Sequence, residues 1–439
     1  MLSKIQNSKH LIINFLISLI PITYISGNSL LNLNTLLILL FFFWLYRPNI
    51  FKFKLTFLDK LVLIFFLYIF FNAIFNNFFN FPYETEKDKN LILFKALGYL
   101  RFLLLFFVVR YLINFNQIKF EYFFLALGLS ALFVSLDIIF QFFFRFDIFG
   151  LEAPPGERRL AGPFGDEWIA GSFIQRFYIF IIFYILIFTK FKKNWKMNII
   201  FLTILSVTGA GVLMSGNRIP GVMFFLSLLL IILFEKTFRK KFIVLVLIFF
   251  VGLYFFAKKN ETLKIHYSSF VTKSIGVLDY YKDKFNPSIN NEIKIPNSYV
   301  KEFETGFAVW DKNKLFGGGI KSFYFNCRKI ESKKSYLGYC SPHPHNYYIQ
   351  FAAELGLIGI FITLILFFSI ILRSLKTIFI NKNLNDNQLL VPFFIIFLIE
   401  IFPLKTTGSF FTTTNATFIF ILISFIVGLL ERKKNFYEQ

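Results

Sequence analysis

What most constrains this chain of 439 residues is a recurrence of long apolar runs, each bounded by a short polar or basic link. Runs of about 15 to 23 residues with few charges approach or exceed the length a helix needs to cross about 30 Å of hydrocarbon. They fall at about 11–26, 30–46, 61–75, 91–113 and 122–144, with a sixth ending before Lys190. Six more lie at about 199–214, 220–234, 242–256, 358–372, 389–404 and 411–430. A mean hydropathy of +0.63, with 56% apolar and 16% charged residues, leaves no soluble core able to hide so much apolar surface. The expectation is an all-α polytopic membrane protein of about twelve transmembrane helices, with one long periplasmic loop between helices 9 and 10. It divides the chain into 1–257 (helices 1–9), 258–344 (the long loop) and 345–439 (helices 10–12 and a tail). No small-residue cleavage site follows the first run, so it reads as a retained span rather than a signal peptide.

A formal charge of +22 could suggest a nucleic-acid partner, but its placement points elsewhere. The basic residues gather in short links: Lys4 and Lys9; Arg47, Lys52, Lys54 and Lys60; Arg110 and Lys119; Lys190, Lys192, Lys193 and Lys196. Lys236, Arg239, Lys240 and Lys241 follow, then Arg373 and Lys376, then Arg432, Lys433 and Lys434. With twelve spans every one of these links falls on one side, together with both termini. By the positive-inside rule that side is cytoplasmic. The charge is therefore read as membrane topology, with lipids rather than nucleic acid as the partner.

The unusual polar residues then face outward. From Ser341 to Gly359 a polar segment runs straight into an apolar one, and helical spacing puts Asn346, Gln350 and Glu354 on one face, with His345 at the mouth. Gly356 and Gly359 would let a neighbouring helix come close. A plain helix start at headgroup level reads from the same spacing. Asp137 and Gln141 share a face of the fifth run and could simply satisfy each other. The following loop, 145–171, carries Arg158 and Arg159 among Gly and Pro, and Ser215-Gly216-Asn217-Arg218 is a turn between two runs. A charge held so near two spans is costly unless it is paired or lines a cavity. Cys327 and Cys340, the only cysteines, both lie in the long outer loop; an exported pair reads as a disulfide, which would fix the entry angle of the His345 helix. Zinc would need more ligands than His343 and His345 add.

The His345-Asn346, Gln350, Glu354-Leu355-Gly356-Leu357-Ile358-Gly359 pattern resembles the signature of the O-antigen ligase and polymerase superfamily, bacterial inner-membrane glycosyltransferases of the GT-C type. Other pieces follow in that family's order: Asp137 with Gln141, Arg158 to Phe164, Ser215 to Arg218, and Trp310 to Phe323 with the Gly317-Gly318-Gly319 turn. The specific motifs occupy a small share of the chain, and Asn217 stands where the family often has Ser. The resemblance implies an enzyme that moves a glycan from a polyprenyl diphosphate donor to lipid A-core (a ligase) or to another lipid-linked glycan (a polymerase). It implies an inverting reaction at the periplasmic face of the inner membrane, with no metal or other cofactor.

Within that resemblance His345 and Arg218 become the expected catalytic pair, and Arg158 or Arg159, Arg101, Arg176, Asn346 and Glu354 the expected substrate contacts. Histidine titrates near neutrality and can take a hydroxyl proton. Arginine stays charged and binds phosphate oxygens with a planar fork. A lipid-linked oligosaccharide flippase would also be polytopic and basic, but the two halves show no internal repeat with matching broken helices.

Overall fold

The computed structural model describes residues 11–46, 53–79, 86–154, 158–189, 195–285, 298–331, 340–380, 384–406 and 408–432. Lys4, Lys9, Arg47, Lys52, Lys190, Lys192, Lys193, Lys433 and Lys434 lie outside the described residues, so the topology reading is untouched there. Among the described residues the chain is all-α, with a single isolated bridge between Phe146 and Glu152.

Its helices are α1 (Leu11–Ile25), α2 (Asn28–Tyr46), α3 (Phe57–Phe78), α4 (Glu86–Asn114), α5 (Phe120–Phe144), α6 (Ala170–Phe188), α7 (Trp195–Met214), α8 (Arg218–Phe234) and α9 (Arg239–Lys259). There follow α10 (Glu261–Phe285), α11 (Ser298–Asp311), α12 (Phe323–Glu331), α13 (Tyr347–Ile380), α14 (Leu384–Glu400) and α15 (Thr413–Glu431). Each apolar run of the sequence is helical. Eight helices, α2 to α7 with α13 and α15, are long and apolar enough to cross a membrane, and α1, α8 and the end of α14 are shorter apolar helices. The chain is an all-α polytopic membrane protein.

Helices α6 and α15 are buried on nearly every face and form the centre of the bundle; α5 packs along α6, and α4 along α15. Outer helices turn Leu30, Phe71, Leu229, Phe361 and Phe368 outward, the surface that lipid rather than water solvates. Connections alternate between two ends. At one end the Thr56–Asp59 capping box starts α3, and Asp59 also pairs with the buried Arg110 at 3.3 Å. At the other lie the α5–α6 loop, the α7–α8 turn, α10 to α12 and the α14–α15 loop.

Two features go beyond what the sequence shows. The long polar segment is not a plain loop: it folds into α10, α11 and α12, with Cys327 and Cys340 disulfide-bonded at a Cα separation of 5.5 Å between α12 and the approach to α13. The His345 helix is not continuous either. At Gly356 the backbone turns to φ 68° and ψ −170°, breaking α13. The freed groups find partners in the glycine turn: Gly318 and Gly319 N–H donate to the Ala353 and Glu354 carbonyls at 3.1 and 2.8 Å, and Leu357 N–H donates to Lys314 at 2.8 Å. Tyr68 on α3 adds a bond to the Leu355 carbonyl at 2.6 Å. Irregular backbone at this depth is tolerable only when protein satisfies it, as here. Gly356 therefore admits a loop, while Gly359 admits Tyr68 of α3.

Candidate functional site

The α5–α6 loop is held from below. Asp137 accepts from Ile148 N–H at 2.7 Å and Gln141 accepts from Gly162 N–H at 2.9 Å, so these two polar groups of α5 anchor loop backbone rather than each other. The loop in turn clasps the α7–α8 turn, with Leu160 N–H donating to the Ser215 carbonyl at 3.0 Å. Gly216 has φ 69°, and a Cβ there would lie 2.4 Å from the Arg158 carbonyl oxygen, so only glycine lets the two segments meet. Arg158 and Arg159 are exposed, the latter with its guanidinium 4.1 Å over the Trp168 ring. Pro155, Gly156 and Glu157 of the same loop lie outside the described residues.

The arginines fall into two kinds. Arg176, buried in α6, bonds Glu400 through Nε and Nη2 at 3.1 and 2.6 Å, Tyr24 through Nη1 at 2.8 Å and Asn415 through Nη2 at 3.0 Å. That commits most of its five donors, so it is a fastened structural cation rather than an open one. Arg218, at the start of α8, makes one bond to a neutral hydroxyl, Ser269 of α10, at 2.7 Å, and its buried Nε has no protein partner. Arg101 lies well inside α4, bonded to Thr413 at 3.1 Å and to the Gly98 carbonyl, also with a spare Nε. Among the described residues no carboxylate pairs with Arg218 or Arg101.

Sequence reasoning missed the hub that joins α6, α13 and α14. Glu400 takes Arg176 on one side and Lys405 Nζ at 2.6 Å on the other, and accepts from Tyr347 Oη at 2.7 Å. One carboxylate between two cations leaves the buried cluster with an excess positive charge. Burial brings the Lys405 ammonium down to about 8, with Arg176 pushing the same way and Glu400 opposing. A glutamate closing an otherwise apolar run, followed by Lys405, was the available signal.

His345 stands immediately before α13 in a left-handed conformation, φ 54°. Its Nε2 is 3.9 Å from Glu302 Oε1 of α11, and its ring centroid 4.3 Å from that of His343. Asn346 caps α13, accepting from Tyr348 and Ile349 N–H at 2.9 and 3.2 Å, while its amide donates to the Pro403 carbonyl at 2.7 Å. Gln350 receives Phe410 N–H at 2.9 Å and donates to Ser409 Oγ at 2.8 Å and Glu354 Oε2 at 3.2 Å. Lys321 reaches Ser409 at 3.3 Å; burial lowers its proton affinity. Asn346 and Gln350 thus fasten the α14–α15 loop, and Glu354 is buried behind them.

Tyr347, two residues after His345, joins the start of α13 to Arg176 through Glu400, and Gln350 and Lys321 meet at Ser409 beside Glu354. The segments that carry Arg158, Arg159 and Arg218 meet backbone to backbone at Gly216. Gly171 of α6 touches Ser215 and Asn217, linking that junction to the helix that carries Arg176.

Residues 200–364 match the family model described as O-antigen ligase, the superfamily whose motifs the sequence resembles. The match contains Arg218, His345, Asn346, Glu354 and both cysteines; Arg101, Arg158, Arg159, Arg176, Glu400 and Lys405 lie outside it. No curated protein matches the chain. The match supports an O-antigen ligase or polymerase type of function, and the long apolar helices fit a membrane-embedded protein.

Proposed function

We propose that this protein transfers a glycan from a polyprenyl diphosphate to a sugar hydroxyl at the periplasmic face of the bacterial inner membrane, acting as an O-antigen ligase. The polymerase of the same superfamily differs only in taking a lipid-linked glycan in place of lipid A-core as acceptor. The observation that carries the reading is that His345 precedes a helix fastened through Tyr347 to the Glu400 hub, while Arg218 and Arg101 each keep a buried Nε uncommitted to any protein acceptor.

His345 takes the acceptor hydroxyl proton as the oxygen attacks the anomeric carbon. The bond from that carbon to the diphosphate oxygen breaks, and the leaving group departs with the electron pair. Because donor and acceptor meet in one displacement, the anomeric configuration inverts. Arg218, with Arg101 and the exposed Arg158 or Arg159, meets the growing charge on the diphosphate, where a guanidinium fork suits phosphate oxygens. Arg176 and Lys405 supply a fixed positive field behind them without contacting the donor.

The test is transfer by the purified, bilayer-reconstituted protein from a polyprenyl-diphosphate glycan to lipid A-core. Product bearing the inverted linkage supports the reading. Movement of the donor between leaflets without transfer contradicts it and favours a flippase. Complementation of ligase-null and polymerase-null strains, read by lipopolysaccharide banding, separates the two acceptors.

A further inference from the structure

Helix α11 approaches the start of α13 through a glycine. A Cβ at Gly306 would lie 2.2 Å from Ile349 Cγ2 and 3.3 Å from Pro344 Cβ, so the bare backbone sets the register between the two helices. One turn earlier on the same face is Glu302. The register seats its carboxylate beside the imidazole of His345, with Oε1 3.9 Å from Nε2.

Glu302 is only 9% exposed, whereas the His345 side chain is 36% exposed. The ring therefore has a buried carboxylate on one side and is itself partly exposed. The next acid on α11, Glu304, is taken by Lys284 at 2.7 Å, but among the described residues no lysine or arginine pairs with Glu302. Burial pushes its carboxyl up to about 7. A poorly solvated acid whose nearest cationic partner is a histidine fits a functional pair better than a structural ion pair, which is built on a permanent charge.

We infer that Glu302 is a positioning residue for His345, the carboxylate that orients the imidazole and balances the charge it gains. The inference rests on the reading that His345 handles the acceptor proton. Glu302 accepts from His345 Nε2–H, leaving Nδ1 as the base toward the acceptor hydroxyl. When the hydroxyl proton arrives at Nδ1, the imidazolium is paired across the short gap. The 3.9 Å separation is ion-pair range and tightens to hydrogen-bond length as the acceptor seats, as catalytic contacts commonly do. This is the arrangement of a base held by a third group.

The experiment is a double-mutant cycle on the full-length protein in bilayers. Glu302→Gln keeps the shape and removes the charge. It should lower kcat by about 10- to 100-fold, below the about 10²–10⁴ of a general base, while the donor KM is held. In the His345→Ala background the same change should do nothing further, because the residue acts through His345. Glu302→Asp, which keeps the charge on a shorter stem, should recover part of the rate and covers the case in which Glu302→Gln does not fold. A wild-type kcat in Glu302→Gln, or losses that multiply in the double variant, overturns the pairing alone. A wild-type rate in His345→Ala overturns instead the reading of His345 on which it rests.

Discussion

The phenol of Tyr347 donates to Glu400 at 2.7 Å, so the helix that begins beside His345 is fastened to the carboxylate that also holds Arg176 and Lys405. Three helices distant in sequence meet on that one side chain.

Glu400→Ala would leave two buried cations without a counter-charge, a change that costs about 3–5 kcal/mol. Tyr347→Phe removes a single hydrogen bond, at about 0.5–3 kcal/mol depending on the charge it serves. Thermal melting of the reconstituted protein should rank Glu400→Ala far below Tyr347→Phe. Equal melting temperatures would mean that the hub does not hold the bundle.

How much was legible in the sequence depends on the range of the interaction. Each helix from α1 to α9 and from α13 to α15 could be found from an apolar run, because lipid dictates length and hydropathy locally. The Cys327 and Cys340 segment, the Gly317-Gly318-Gly319 turn and the His345 start were also visible as motifs. The hub was not, because Arg176 and Glu400 are joined across 224 positions and neither betrays its partner. Arg176 read as an open cation at a helix end, and only its committed donors distinguish it from Arg218. The break at Gly356 was hidden for a similar reason: a glycine that packs and a glycine that turns look alike until φ is known.

Gly356→Ala tests that break. The position has φ 68°, and a Cβ would lie 2.3 Å from the Leu315 carbonyl oxygen and 2.6 Å from Gly317 N, both backbone atoms that cannot swing away. The variant should accumulate poorly and lose transfer. Gly252→Ala, within α9 and facing open space, should accumulate normally and can gain up to about 1 kcal/mol from helix propensity. Normal accumulation of Gly356→Ala would show that the break is not needed.

A pH dependence of stability follows from Glu302. Its carboxyl is pushed from 4.5 to about 7 by burial, so the folded state binds its proton more tightly than the unfolded chain does. The contribution is largest below pH 4.5 and is lost as pH rises to about 7. His343 and His345 lie nearby, so the comparison is differential. Between pH 5 and 7.5 the wild type should lose more melting temperature than Glu302→Gln does. The same slope in both proteins would remove the shift from Glu302.

Cys327 and Cys340 test the compartment. If the long loop is periplasmic, both thiols in membranes prepared without reductant should resist alkylation until reduced. A periplasm-dependent reporter fused after Asn313 should be active, and one after Arg432 silent. Free thiols or the reverse reporter pattern would place the site on the other side of the membrane.

The central claim is that His345 moves a proton while Arg218 holds a diphosphate, and one set of purified variants separates the two jobs. His345→Ala should bind the polyprenyl-diphosphate glycan almost normally while transfer falls by about 10²–10⁴. Arg218→Lys, which keeps a charge without the fork, should weaken donor binding, and Arg218→Ala should weaken it further. The measurement that decides is donor binding and single-turnover transfer recorded together on His345→Ala. Intact binding with lost transfer is the expected result, and normal transfer, or transfer lost only in proportion to donor binding, would contradict the account.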